Sequence, residues 1–282
     1  MLSFVQKTMR KVQLFSLFIL LYLSLLTHLF AQDLFAPLEE KLVNDGFSLK
    51  LIKKLYQQPQ VKFLDQTIRI YMTYKESRLN YRQFLDPRLI RMGKAYLKEH
   101  KDILLKAQSK YGVSPHIIVA LLTIETRLGQ YLGRYRVFNV LSSLALVGIN
   151  KDLSSSLNLP QTLIPRLEKR GKWAYKELKA FLCYTQKNGF DPLFIKGSLA
   201  GAFGIPQFVP TSAIKFGCDG DGDGRVNLFD HDDAIMSVAK YLWAHGWKPN
   251  LTQRQKEKIL MSYNHSPYYT HTILNLAQRV ED

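Results

Sequence analysis

Residues 114–129, "SPHIIVALLTIETRLG", place an acidic side chain at the end of an apolar helix pattern. Ser-Pro at the start and Gly at the end are typical of a helix N-cap, first residue and C-terminal stop. Ile118, Leu121 and Leu122 share one face, and Glu125 follows on that face. Burial there disfavours a charged carboxylate and raises its pKa, which would keep a proton available for general acid catalysis. The alternative is structural: an ion pair with a nearby arginine, or a carboxylate that points to solvent.

Residues 219–230, "DGDGDGRVNLFD", have the spacing of an EF-hand-like calcium loop. Aspartates take the first, third and fifth positions, and a glycine takes the sharp turn at the sixth. The last position is Asp230, which is one methylene shorter than the usual glutamate, so bidentate coordination is weaker there. Carboxylates this close repel one another without a cation; the alternative is a solvated acidic turn. The predicted ligands of a structural Ca²⁺ ion are Asp219, Asp221, Asp223, the carbonyl oxygen of Arg225, Asn227 and Asp230.

Two further stretches carry groups that could contact a ligand. Residues 197–212, "GSLAGAFGIPQFVPTS", combine glycines, which let the backbone approach a ligand closely, with the polar side chains of Ser198 and Gln207. Residues 262–270, "SYNHSPYYT", set tyrosine rings beside an asparagine, and sugars bind surfaces that offer both apolar faces and hydrogen-bonding groups. The alternatives are a tight connection between helices and an ordinary packed helix end.

Helical periodicity dominates the chain, and alternating strand patterns are scarce. Residues 147–164 have loop composition, and Gly, Pro and Asp accumulate in 190–230. The sequence therefore predicts a mainly α fold with a small sheet and with function gathered on the loops. The predicted helices are about 35–57, 60–75, 88–111, 115–128, 165–188, 231–245 and 252–263.

The N-terminus has the layout of an export signal. A basic start is followed by "VQLFSLFILLYLSLLTHLF", which predicts a signal peptide over 1–31 and a mature domain over 32–282; the alternative is an uncleaved membrane anchor. The formal net charge is +16, and loss of 1–31 would leave +13. An exported basic protein has little access to nucleic acid, so the expected anionic partner is a cell-envelope polymer. Cys183 and Cys218 are expected to be packed thiols rather than a disulfide.

The order of these motifs resembles the membrane-bound lytic transglycosylase B family, over about 60–280. The resemblance begins with "YRQFLDPRLIRMGKAYLKEH", passes through "YGVSPHIIVALLTIETRLG" and "GSLAGAFGIPQFVPTS", and ends with the acidic loop and "SYNHSPYY". It implies a lysozyme-like α core with a helical flank, a small β subdomain and one EF-hand-like calcium loop. The chain departs from the family in lacking a lipobox and in reading "GIPQF" where "GYGQF" is commoner.

The resemblance also implies roles for individual residues. Glu125 would be the single catalytic acid and base of a peptidoglycan lytic transglycosylase. The enzyme would cleave the bond between N-acetylmuramic acid and N-acetylglucosamine without water and leave a 1,6-anhydro end. The alternatives are a lysozyme-type hydrolase and a non-catalytic murein-binding scaffold. The implied protein is a monomer of the periplasm or cell envelope, without an organic cofactor. Membrane association through the N-terminal segment is possible, and the positive charge would also suit anionic lipid. The implied substrate-binding residues are Ser198, Gln207, Tyr263, Asn264, Tyr269, Lys169 and Arg170.

Overall fold

The computed structural model describes residues 34–74 and 79–282. These residues form two compact units, which divide between Phe63 and Leu64. The N-terminal segment 1–31, predicted to be a signal peptide or anchor, lies outside the described residues.

The first unit contains two helices, α1 (Ala36–Asn44) and α2 (Leu49–Tyr56), which pack against each other. The sequence predicts one helix over 35–57, but the chain turns between the two helices. Gly46 adopts a φ of +97° in this turn, a left-handed conformation that only glycine adopts without strain. The predicted helix is therefore a helical hairpin.

The second unit is built from helices of very different length. Two short 3₁₀ helices, Tyr81–Leu85 and Gln161–Leu163, supplement the α-helices. The α-helices are α3 (Asp65–Thr73), α4 (Pro87–Glu99), α5 (Lys101–Tyr111), α6 (Pro115–Thr126), α7 (Val137–Ile149), α8 (Lys151–Ser156), α9 (Ile164–Asn188), α10 (Pro210–Phe216), α11 (His231–Ala244), α12 (Gln253–Tyr263) and α13 (Pro267–Glu281).

Most of the helices predicted for this unit are present, with altered ends. The helix expected over 60–75 begins only at Asp65, and the one expected over 88–111 is divided at His100 into α4 and α5. Helices α7, α8, α10 and α13 were not predicted from the sequence. The mainly α architecture is thus confirmed, while the division of the chain into helices is finer than expected.

Helix α6 forms the centre of the core. Every residue from Ile117 to Ile124 is buried, and α4, α5, α11 and α13 pack around the helix. Pro115 stands at its first helical position, as the sequence predicts. The hydroxyl of Ser114, however, makes no capping bond to the helix and lies 3.2 Å from Nδ1 of His116.

Helices α7 and α9 pack closely along their length. At their nearest approach, a Cβ atom added to Gly171 would lie 2.2 Å from Cα of Gly148, and one added to Gly148 would lie 2.5 Å from Cα of Gly171. Only glycine at both positions lets the two backbones come this close. Asn150 is both the C-cap of α7 and the N-cap of α8, where its side chain accepts from the backbone N–H of Leu153, so the loop expected over 147–164 is largely helical.

The observed sheet has two very short strands. β1 (Tyr135–Arg136) pairs antiparallel with β2 (Lys196–Gly197), with Tyr135 opposite Gly197. Isolated bridges continue the pairing from Gly197 to Phe203 and from Phe203 to Phe208. This small sheet therefore folds the glycine-rich stretch back on itself beside the start of α7.

Within the described residues, no helix is both long and apolar enough to cross a membrane. Both cysteines are free thiols. Cys183 is exposed on α9, so the expectation of a packed side chain is not met there, while Cys218 is half-buried.

Candidate active site

Glu125 lies in the last turn of α6, one residue before the helix ends at Thr126. The apolar residues of its stripe, Ile118, Leu121 and Leu122, are fully buried. Glu125 itself is half-buried. The stripe therefore carries the carboxyl group to the boundary between the core and solvent, where a substrate could reach it.

The backbone turns sharply directly after this glutamate. Arg127, Leu128 and Gly129 have φ values of +49°, +59° and +90°. Two consecutive non-glycine residues in this left-handed region are energetically costly, and such strain persists only where surrounding contacts enforce it. Thr126 supplies two of those contacts: its buried hydroxyl donates to the carbonyl oxygen of Ile205 at 2.8 Å and accepts from the backbone N–H of Gly129 at 3.0 Å. The end of α6 is thereby fixed to the glycine-rich loop.

The buried Tyr269 and the half-buried Tyr263 approach Glu125 from the C-terminal part of the chain. The hydroxyl of Tyr269, near the start of α13, donates a hydrogen bond to Oε1 of Glu125. The hydroxyl of Tyr263, at the end of α12, donates to the carbonyl oxygen of Pro206. The two rings stack with centroids 6.5 Å apart. Tyr269 thus orients the carboxyl group. Tyr263 connects residues 262–270, the tyrosine block, to residues 197–212, the glycine-rich loop.

The electrostatics keep both tyrosines protonated. Burial, and then the negative charge of Glu125, raise the pKa of Tyr263 and of Tyr269 well above the ordinary value for tyrosine. Each hydroxyl therefore remains a hydrogen-bond donor throughout the neutral pH range. A donor to a carboxylate favours its charged form.

Ser198 and Gln207 shape the glycine-rich loop. The hydroxyl oxygen of Ser198 accepts from the backbone N–H groups of Ala200 and Ala202 at 3.3 and 3.1 Å. Gln207, at a φ of +50°, donates through Nε2 to the carbonyl oxygens of Gly204 at 2.9 Å and Leu132 at 3.2 Å. These bonds use the hydroxyl oxygen of the serine and the amide nitrogen of the glutamine. The hydroxyl proton and the amide oxygen are the groups left to contact a ligand.

Aromatic groups extend the site beyond the tyrosine block. Tyr268 is 66% exposed, and its ring stacks on Tyr81 with centroids 6.5 Å apart and planes 18° from parallel. Asn264 is half-buried at the end of α12. Tyr81 was not predicted from the sequence, because no local pattern pairs it with Tyr268, which lies more than 180 positions later in the chain. The signal available was an aromatic residue inside a stretch that carries the family resemblance.

Lys169 and Arg170 lie near the beginning of α9. Lys169 is exposed, while the guanidinium of Arg170 lies 5.6 Å from the ring centroid of Tyr71 and 5.5 Å from that of Trp173. Among the described residues, no hydrogen bond or ion pair joins either side chain to Glu125, Tyr263 or Tyr269. Their predicted contact with substrate therefore stays a prediction.

The acidic loop brings three carboxylates together. Oxygen atoms of Asp219, Asp221 and Asp233 lie within 4.8 Å of one another. Asp233 is 1% exposed and accepts from the backbone N–H groups of Gly220 and Asn227 at 2.6 and 2.5 Å. Burial, and then the nearby carboxylates, raise the pKa of Asp233, although these two N–H groups lower it.

The other predicted ligands of this loop have different local partners. Asp230 accepts from the backbone N–H of Asp232 at 2.8 Å as the N-cap of α11. The carboxylate of Asp223 accepts from the N–H of the exposed Arg225, at 2.7 Å. The side-chain oxygen of Asn227 accepts from the N–H of Phe229, at 3.1 Å. The structure therefore places Asp233, which the sequence spacing does not include, where Asp230 was expected.

This donor set fits a calcium ion. Calcium takes oxygen ligands at about 2.3–2.6 Å, so oxygens on opposite sides of one ion lie about 5 Å apart. The separations among Asp219, Asp221 and Asp233 fall within that span. The loop is also fixed from outside, because Lys106 donates to the carbonyl oxygen of Gly220 at 2.8 Å and Tyr184 donates to that of Val226 at 2.7 Å.

Comparisons with known proteins agree with this architecture. Residues 30–257 match the family described as Transglycosylase SLT domain. The chain is 33% identical over 222 residues to the membrane-bound lytic murein transglycosylase B of Escherichia coli (strain K12), a match that covers 74% of this chain and 56% of that relative. The chain thus spans little more than half the length of this curated relative.

Solved structures of Escherichia coli SLT35 are similar to this chain along most of their length. The Escherichia coli lytic transglycosylase SLT35 in complex with calcium is 27% identical, with a TM-score of 0.71, and the match covers 89% of this chain and 92% of that one. The same protein in complex with bulgecin A is 26% identical, with a TM-score of 0.70, and the match covers 86% and 91%. The fold predicted from the family resemblance is thereby confirmed at the level of its helical architecture.

Proposed function

The chain belongs to the transglycosylase SLT domain family, and from this premise we propose that it is a peptidoglycan lytic transglycosylase with Glu125 as its only acid and base. The observation that carries the proposal is the hydrogen bond from Tyr269 to Glu125, at the end of a buried helix that is tied to a glycine-rich loop. A carboxyl group held in this way, beside exposed and half-buried aromatic rings, suits cleavage of a glycan.

In the proposed reaction, protonated Glu125 donates its proton to the glycosidic oxygen between N-acetylmuramic acid and N-acetylglucosamine. The bond from that oxygen to C1 of the muramic acid breaks, and the 2-acetamido group of the same sugar stabilises the developing positive charge. The ionised carboxylate, which the Tyr269 hydroxyl favours, then removes a proton from the sugar's 6-hydroxyl. That oxygen bonds to C1 and gives the 1,6-anhydro product, so no water is consumed and no second carboxylate is required.

We propose that the glycan strand lies against the glycine-rich loop and the tyrosine block. The hydroxyl proton of Ser198 and the amide oxygen of Gln207 would contact polar groups of the sugars. Asn264 would do the same, and the stacked rings of Tyr81 and Tyr268 would face a sugar ring. The SLT35 relative is known in complex with bulgecin A, which supports a ligand site in this fold.

The aspartates of the acidic loop would hold a structural calcium ion. Asp219, Asp221 and Asp233 would supply carboxylate oxygens, and the calcium complex of the SLT35 relative supports the choice of ion. Bound there, calcium would neutralise the clustered charges and stabilise the loop. It takes no part in the proposed chemistry.

We also propose that the protein is exported to the periplasm or cell envelope, because its proposed substrate, peptidoglycan, is found there. The basic start and apolar run of residues 1–31 support export, with either cleavage or retention as an anchor. We propose that the catalytic domain acts as a monomer, as the family resemblance implies.

Mass spectrometry of the products from purified murein tests the reaction. A lytic transglycosylase releases muropeptides that are lighter by one water than the products of a hydrolase, because the 1,6-anhydro bond replaces a free reducing end. The variant Glu125→Gln is the control: the amide keeps the shape but cannot donate the proton, and general acid–base groups contribute about 10²–10⁴ in rate. Reducing-end products would instead identify a lysozyme-type hydrolase. Murein binding without any products would identify a scaffold.

A further inference from the structure

One side of α9 carries a row of lysines. The helix is 25 residues long, and at 3.6 residues per turn five of its lysines fall within an arc of about 80°. At a rise of 1.5 Å per residue, the row extends about 27 Å along the helix axis. This lysine row consists of Lys169, Lys172, Lys176, Lys179 and Lys187.

The lysine row faces away from the core. The buried side of α9, which includes Leu167, Leu178 and Phe181, is centred about 170° around the helix from the row. Every lysine of the row is exposed except Lys179, which is half-buried. Cys183 falls within the same arc and is also exposed.

Three lysines of the row make no ion pair within the described part of the chain. Among the described residues, no salt bridge joins Lys172, Lys176 or Lys187 to a carboxylate. The helix has two glutamates. Glu168 lies just outside the arc, and Glu177 is buried about 120° around the helix from the centre of the row, where it accepts from the backbone N–H of Thr211 in α10. Like charges three and four residues apart destabilise a helix, so the row is not explained by helix stability.

The chemistry of the row points to a partner that is recognised by charge alone. Besides the lysines, the arc contains only Pro165 and Cys183, so it offers neither aromatic faces nor carboxamide groups with which to recognise a sugar. A straight row of flexible cations matches a flat, uniformly anionic surface. We propose that the lysine row binds the anionic headgroups of a phospholipid membrane. The row would then hold the catalytic domain against a membrane surface independently of any anchor in the N-terminal segment.

The expected strength follows from the charge. Each lysine at an anionic bilayer surface strengthens binding about fivefold, so loss of three lysines lowers the partition coefficient about a hundredfold. The attraction is also screened by salt, because the Debye length falls from about 10 Å at 0.1 M to about 3 Å at 1 M.

Vesicle sedimentation with the full chain tests the proposal. The row variant replaces Lys172, Lys176 and Lys187 by Gln, which leaves Lys169 and its predicted substrate contact intact. A matched control variant replaces three exposed lysines elsewhere, Lys98, Lys101 and Lys258, so that both variants lose the same charge. Melting curves establish that each variant is folded.

With vesicles of equal parts phosphatidylglycerol and phosphatidylcholine, the row variant should bind about a hundredfold more weakly than the parent, and the control variant much less so. Vesicles of pure phosphatidylcholine measure what the N-terminal segment contributes, and there the two variants should bind alike. Equal binding of the two variants to anionic vesicles would overturn the proposal. So would a loss confined to binding of murein sacculi, which would assign the row to the polymer.

A label on Cys183 gives a second, independent readout. With Cys218 replaced by Ser, an environment-sensitive fluorophore on the exposed Cys183 lies within the row. Its emission should change on addition of anionic vesicles and return in 1 M salt. An unchanged emission under conditions where the protein sediments with vesicles would show that another surface makes the contact.

Turnover of soluble murein fragments, which needs no membrane, should be the same in the row variant and the parent. This control separates failure of the membrane proposal from failure of the proposed activity.

Discussion

Replacement of Tyr269 by Phe removes one oxygen atom from the site. The phenol ring is 3% exposed and stacks beside Tyr263, so a phenylalanine fits the same space. What is lost is the hydrogen bond to Oε1 of Glu125. Hydrogen bonds to charged groups contribute about 1.5–3 kcal/mol, which corresponds to about a tenfold to a hundredfold loss of turnover if the bond is needed in the transition state.

The same substitution should shift the pH dependence of the reaction. The raised pKa of Tyr269 keeps its hydroxyl a donor over the working pH range, and a donor favours the ionised carboxylate. Without it, Glu125 gives up its proton less readily. The alkaline limb of kcat/KM, where the general acid is lost, should therefore move to higher pH. A merely structural role for Tyr269 would not move this limb.

The assay compares murein turnover per folded molecule with melting temperature. Tyr263→Phe is the matched control, because its hydroxyl donates to the carbonyl oxygen of Pro206 and not to Glu125. Loss of that bond leaves a buried carbonyl without its partner and should lower stability by about 1–3 kcal/mol, with a smaller effect on the pH profile. If Tyr269→Phe keeps both parental turnover and the parental pH profile, Tyr269 has no part in orienting Glu125.

Three further predictions concern other parts of the molecule. Asn264→Ala should lower turnover about tenfold to a hundredfold while the melting temperature changes little; a fall in stability alone would assign Asn264 to packing. Calcium should raise the melting temperature of demetallated protein more at neutral pH than at an acid pH where Asp233 is protonated. The raised pKa of Asp233 means that its ionisation costs the calcium-free folded state stability as pH rises, and Asp233→Asn should remove most of this difference. Gly171→Ala should destabilise the fold by about 1–3 kcal/mol or more, because its new Cβ would overlap the backbone of Gly148; an unchanged melting temperature would show that α7 and α9 can separate at little cost.

The fold was predictable from the sequence wherever burial is one-sided. Helices α9 and α12 have one apolar and one polar face, so their periodicity is visible. Helix α7 is buried on nearly all sides, and its sequence, "VFNVLSSLALVGI", carries no contrast between faces from which a helix could be recognised. Helix α13 was not predicted for another reason. Its first turn contains Pro267 and Tyr269, which belong to the stretch interpreted as a sugar-binding motif, although a proline is also typical of a helix start.

The site was predictable where its residues are close in sequence. The position of Glu125 at the end of an apolar stripe follows from residue spacing alone. The position of Asp233 could not be predicted in this way, because the residue lies beyond the 12-residue loop pattern. It lies beside Asp219 only because the first turn of α11 places its side chain there. The bond from Tyr269 likewise spans 144 positions, and no local pattern reports it. Sequence reasoning alone would expect little from Tyr269→Phe, since the ring remains to pack, and this hydrogen bond is the reason to expect more.

Three backbone carbonyls explain why the distant motifs must act together. Thr126 donates to the carbonyl oxygen of Ile205, Tyr263 to that of Pro206, and Gln207 to that of Leu132. The end of α6 and the tyrosine block are therefore each linked to the glycine-rich loop through main-chain carbonyl groups, which substitutions of neighbouring side chains do not remove. The links from this loop to Thr126 and Leu132 hold the left-handed turn after Thr126. Because contacts from the glycine-rich loop bear part of the strain of that turn, we expect Glu125 to reach its position only in the folded chain, and no peptide containing the helix alone should reproduce it.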